Sequence, residues 1–109
     1  MYTLDTFQQR FGANPAFAER LARVFLSEGP RQLAVLRSAV DGAVPADVER
    51  AAHTLKGAVA NYGYPELVQT LATMEEQAAP GPALEARFVQ VASMVEEMAD
   101  KLALAVPAR

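Results

Sequence analysis

An all-α fold, an antiparallel up-down four-helix bundle with a short additional N-terminal helix, is what this sequence predicts. Three observations lead there. Clusters of Gly and Pro cut the chain at Gly12–Pro15, Gly42–Pro45, Gly63–Pro65 and Pro80–Pro82, and such clusters mark turns. The five stretches between them repeat apolar residues every three or four positions, the period of a helix with one buried side. No stretch alternates with a period of two, so no strand is expected.

The first element, about Thr3 to Phe11, places Leu4, Phe7 and Phe11 on one face and should cap one end of the bundle. The second spans about Pro15 to Asp41, with Asn14 as N-cap and Pro15 in the first turn, a placement in which proline's missing N–H costs nothing. Phe17, Leu21, Val24, Phe25, Leu33, Leu36 and Val40 form its apolar side, and Gly29-Pro30 should kink or interrupt it. The third runs from about Pro45 to Tyr62. The fourth, about Pro65 to Ala79, aligns Leu67, Leu71, Met74 and Ala78. The fifth, about Pro82 to Leu104, carries Leu84, Phe88, Val91, Val95, Met98 and Leu102 at 4-3-4-3-4 spacing, which is bundle packing. Four long amphipathic segments with short links favour antiparallel neighbours. One domain over 1–109 is expected: a cap segment at 1–14, the bundle at 15–104 and a frayed tail at 105–109.

Composition narrows the function. With 109 residues there is room for one core and none for a separate nucleotide-binding domain. Ten Lys and Arg against thirteen Asp and Glu give a net charge of -3, without the basic face nucleic acid demands. No apolar run approaches a membrane span, and Met1-Tyr2-Thr3-Leu4-Asp5 has none of the features of a signal peptide. The absence of cysteine removes disulfide and thiol chemistry. A cytoplasmic monomer is the expectation.

The third helix is more than scaffold. At about 100° per residue, Val48, Ala51, Ala52, Leu55, Val59 and Tyr62 share its core face. His53, Gly57 and Ala60 lie opposite, with Arg50 beside them and Glu49 and Lys56 flanking. His53 is the only histidine, and on position alone an idle surface histidine is the bland reading. Gly57 shifts the balance: every other glycine sits at an expected break or kink, whereas Gly57 lies inside a helix, where it costs roughly 1 kcal/mol relative to Ala. One turn from His53, it leaves bare backbone over which a partner can reach the imidazole. Lys56 is one of two lysines, three positions from His53 and therefore its neighbour, suited to attract an incoming phosphate. A neutral imidazole has one nucleophilic nitrogen while the other bears the proton, and an acceptor on that N–H fixes the tautomer. Glu75, at the border of the fourth helix's core face, and Glu49, one turn before His53, compete for that role.

The run Ala52-His53-Thr54-Leu55-Lys56-Gly57-Ala58-Val59-Ala60-Asn61-Tyr62-Gly63 resembles the signature of histidine-containing phosphotransfer (HPt) domains: Ala-His-x-Leu-Lys-Gly, two small residues, two variable ones, an apolar residue and Gly. Phe25-Leu26 through Pro30, Leu33 and Leu36, and later Leu67, Leu71 and Met74-Glu75, resemble the flanking helices of that family. The likeness covers about residues 20–79. Val59 departs from it, since a small residue is usual there, and this bears on local packing.

The resemblance implies that His53 is the phosphoacceptor, Lys56 a phosphate neighbour, Gly57 clearance for the partner, and Glu75, 22 residues after His53, the imidazole contact. It implies reversible exchange with the aspartate of a response-regulator receiver domain, often with a sensor or hybrid histidine kinase upstream. The receiver would supply Mg²⁺ and most of the transition-state stabilisation. No Gly-rich phosphate loop and no carboxylate cluster for a metal stand in the chain, so a phosphocarrier is expected, not an autonomous enzyme, with no cofactor of its own. Three alternatives remain: a non-catalytic helical adaptor, a His-ligated metal or haem bundle, and the phosphoacceptor domain of a larger chemotaxis-type or hybrid histidine kinase. Met1 favours a free-standing protein.

Overall fold

Four of the five helices begin on a proline, where the fixed φ suits the first turn and the missing N–H is no loss. The computed structural model describes residues 1–107. In order the elements are α1 (Leu4–Phe11), α2 (Pro15–Gly42), α3 (Pro45–Val59), α4 (Pro65–Glu76) and α5 (Pro82–Ala103). Among the described residues there is no strand, as the periodicity predicts. Thr3 caps α1 by accepting from the Thr6 N–H, and Asn14 caps α2 by accepting from the Phe17 N–H at 3.1 Å.

Helix α2 packs on both α3 and α5, α3 on α4, α4 on α5, and α1 lies on α2. Around the shared interior, Leu36, Val48, Ala52, Leu55, Val59, Leu67, Leu71, Met74, Val91, Met98 and Leu102 are fully buried. The 4-3-4-3-4 stripe of α5 is buried throughout, as its spacing predicts. No polar or charged residue among those described is buried, so hydrophobic contact holds this interior together.

Several expectations need correction. Helix α2 is unbroken through Gly29-Pro30. Phe25 explains Gly29: a Cβ there would come within 2.9 Å of its ring. Gly29 is thus a mid-helix packing glycine, and Gly57 is not alone in lying inside a helix. Phe17 and Val24 are 42% and 48% exposed, not core. The inward line of α2 runs through Ala18, Ala22, Phe25, Gly29, Leu36 and Val40, and Phe17 instead meets Phe11 edge-on at 5.9 Å. Helix α3 stops at Val59 rather than Tyr62, because Gly63 turns the chain at φ +82°, a conformation glycine adopts without strain. Helix α4 ends at Glu76, short of Ala79, because the backbone leaves helical geometry at Gln77, with φ -123° and ψ 61°. Within the tail expected to fray, Ala105 and Val106 pack on the core, and their N–H groups bond the Leu102 and Ala103 carbonyls. Ala108 and Arg109 of the expected frayed tail lie outside the described residues.

A tyrosine cluster that the pattern did not announce ties the N-terminus down. Tyr2 is 1% exposed, stacks on Tyr64 with ring centroids 5.3 Å apart, and donates its hydroxyl to the Tyr62 carbonyl at 2.9 Å. Tyr62 donates to the Leu21 carbonyl at 2.8 Å, and the Tyr64 hydroxyl and Tyr2 N–H both donate to Glu97. Burial first, joined at Tyr64 by the Glu97 hydrogen bond, pushes the phenols above their ordinary range, so they remain donors.

Candidate functional site

Helix α3 buries Val48, Ala51, Ala52, Leu55 and Val59 against the interior, which turns His53 outward. Its side chain is 74% exposed, against 28% for Lys56 and 18% for Glu75. The site is therefore a packed base with an open tip.

Glu75 forms the base. One carboxylate oxygen, Oε1, lies 2.9 Å from His53 Nδ1, and the other, Oε2, accepts from Lys56 Nζ at 2.8 Å. The Lys56 hydrogen bond, then that of His53, holds the Glu75 carboxyl below its ordinary range, against the opposing effect of burial. An ionised carboxylate only accepts, so the Nδ1 facing it carries the proton and donates. In the neutral ring the lone pair is then on Nε2, for which no hydrogen bond is formed among the described residues. This tautomer follows from the partner's charge.

The two carboxylates that the sequence left in competition separate here. Glu75 touches the ring; Glu49, exposed, lines an open concavity of about 380 Å³ together with Ala46, Arg50, His53 and Glu75. Gly57 is exposed, and a methyl group added there would meet no atom within 4 Å. Nothing within the molecule requires a glycine at that place. Lys56 is ion-paired to Glu75 and partly covered. Val59, the departure from the signature, is fully buried and fills core space.

Two features were only partly visible in the sequence. The Lys56–Glu75 pair was legible in part, because Lys56 and His53 stand one turn apart and a carboxylate reaching one is near the other. Arg50 was seen on the outer face, yet nothing in the spacing alone marks a concavity between it and His53. Among the described residues no group of three or more His, Cys, Asp or Glu is arranged to hold a metal ion, and no helix is long and apolar enough to cross a membrane.

A family model described as Hpt domain matches residues 20–101. The chain belongs to the Hpt domain family. Searches of the curated proteins and of the solved structures return no significant match. The matched span holds all of α3, α4 and most of α2 and α5, and so all of His53, Lys56, Gly57 and Glu75; α1 lies before it. Histidine phosphotransfer in phosphorelay signalling is the work of Hpt domains, which act as phosphocarriers between two-component kinases and receiver domains.

Proposed function

We propose that this Hpt domain carries a phosphoryl group on Nε2 of His53 and exchanges it with the aspartyl phosphate of a response-regulator receiver. The observation that carries this reading is the ring's asymmetry: Nδ1 is tied to Glu75 while Nε2 faces water. In the forward step the Nε2 lone pair attacks phosphorus. The N–P bond forms as the P–O bond to the receiver's aspartate breaks, and that carboxylate leaves with the electron pair. The proton on Nδ1 stays in its hydrogen bond to Glu75, whose charge stabilises the positive ring as it forms. The return step reverses each of these. Lys56, bonded to Glu75, keeps that carboxylate charged beneath the ring, and Gly57 leaves space for the receiver's approach.

The receiver brings the Mg²⁺ and the acidic pocket; this chain needs no cofactor and has no autonomous kinase activity. Short links between α2, α3, α4 and α5 support an antiparallel up-down four-helix bundle forming one domain, with α1 as an addition at one end. A cytoplasmic monomer fits this role. The test is incubation with a phosphorylated receiver domain bearing labelled phosphate. Wild-type protein should acquire acid-labile label and His53→Gln none, with both melting alike. Label retained by His53→Gln refutes the proposal.

A further inference from the structure

The sequence points to Lys56 as the cation for the phosphoryl group, yet Lys56 is already bonded to Glu75 at 2.8 Å and only 28% exposed. The concavity in front of His53 has another cation on its wall. Arg50 precedes His53 by three residues on α3, so the two side chains are neighbours on one helix face, and both line the same open space with Ala46, Glu49 and Glu75. Lys56 is not among the residues that line it.

Arg50 is lightly held. Its guanidinium makes a single 3.3 Å contact with Asp47, and the two side chains are 75% and 52% exposed. Ion pairs of that kind contribute little and exchange readily with water. Nδ1 of His53 is fixed on Glu75, and Nε2 sits across the ring from Nδ1, so a phosphoryl group on Nε2 projects away from the Glu75–Lys56 pair. The group brings negative charge beside Glu49, on the same wall. A second cation is needed there, and a guanidinium matches phosphate oxygens in pairs.

We propose that Arg50 is a phosphate-binding residue: it leaves Asp47 and contacts the phosphoryl oxygens on His53 from the side opposite Lys56, offsetting Glu49. This rests on His53 being the acceptor. It assigns the two cations different places: Lys56 sets the charge of Glu75, and Arg50 meets the phosphoryl group.

Phosphoramidate tests this without a protein partner, which separates phosphate binding from receiver docking. The Nε2–P bond forms, the donor's P–N bond breaks, and ammonia departs. The initial rate of acid-labile incorporation is measured in wild type, His53→Gln, Arg50→Gln, Arg50→Lys and Glu49→Gln, beside melting curves. Arg50→Gln should be about fivefold slower with unchanged melting, a factor below the tenfold that about 1.4 kcal/mol confers. Arg50→Lys should recover part of the loss, Glu49→Gln should be faster than wild type, and salt at about 1 M should compress these differences. A purely structural role for Arg50 predicts neither the salt effect nor the opposite sign at Glu49. Labelled wild type with an equal rate in Arg50→Gln overturns the assignment of Arg50 alone. No label on wild type, or label persisting in His53→Gln, overturns the carrier reading and this inference together.

Discussion

The carboxylates of Glu75 and Glu97 each accept from two different residues, and they serve opposite ends. Glu97 accepts from the Tyr2 N–H and the Tyr64 hydroxyl, inside a cluster where Tyr2 in turn bonds the Tyr62 carbonyl and Tyr62 the Leu21 carbonyl. Every polar atom of the three phenols is committed and the rings are buried. Glu75 accepts from Lys56 and His53, but one of those donors belongs to a ring that is 74% exposed and has a second nitrogen turned to water. The Glu97 network is closed and holds a chain end in place. The Glu75 network is open, and it holds one reactive atom in a defined orientation. The difference arises from the donor: a phenol has one polar atom to bind, an imidazole two.

Substitutions can break this contrast. Glu75→Ala removes the ring's anchor and leaves Lys56 unpaired. Phosphotransfer from a receiver should fall about tenfold or more, the usual scale for losing a group that fixes a histidine's tautomer, while the melting temperature moves little because the pair is near the surface. A large fall in melting temperature with unchanged transfer would make Glu75 structural, like Glu97. Tyr2→Phe should do the reverse. It deletes the buried hydrogen bond to the Tyr62 carbonyl and should cost about 1 kcal/mol in denaturant unfolding, with transfer at the wild-type rate. Slower transfer in that variant would show that the closed cluster reaches the site. Gly57→Gln sharpens the comparison with the smallest effect. It should stabilise α3 by about 0.5 kcal/mol, since Gln is the better helix former, yet slow transfer about threefold by filling space in front of the ring. Equal transfer would mean the partner does not pass over Gly57.

What the sequence made legible follows the same division. Helices α4 and α5 were visible because their stripes are long, apolar and regular, and His53 stood out because the α3 wheel left it outside. The failures lie where tertiary contact outweighs local preference. Gly29-Pro30 predicts a kink or an interruption; of these the interruption does not occur, and Phe25 packs over Gly29 where α2 runs on to Gly42. Phe17 and Val24 looked like core by hydrophobicity, whereas Ala18 and Ala22 hold the inward positions. Tyr2 gave no signal at all, since a lone aromatic near a terminus belongs to no period; its burial depends on Tyr62 and Tyr64, 60 and 62 residues away in the chain. At the site, helical spacing named Glu75 and Glu49 together, the family resemblance pointed to Glu75, and the packing of α4 on α3 brings that carboxylate to the ring.

The central claim is that Glu75 fixes which nitrogen of His53 is free to react. Long-range ¹H–¹⁵N correlation spectra of the imidazole, recorded before and after phosphorylation, test it most directly. The account predicts that the neutral form of the ring carries its proton on Nδ1 and that, after reaction, phosphorus is bonded to Nε2. A neutral ring protonated on Nε2, or phosphorus on Nδ1, would contradict it.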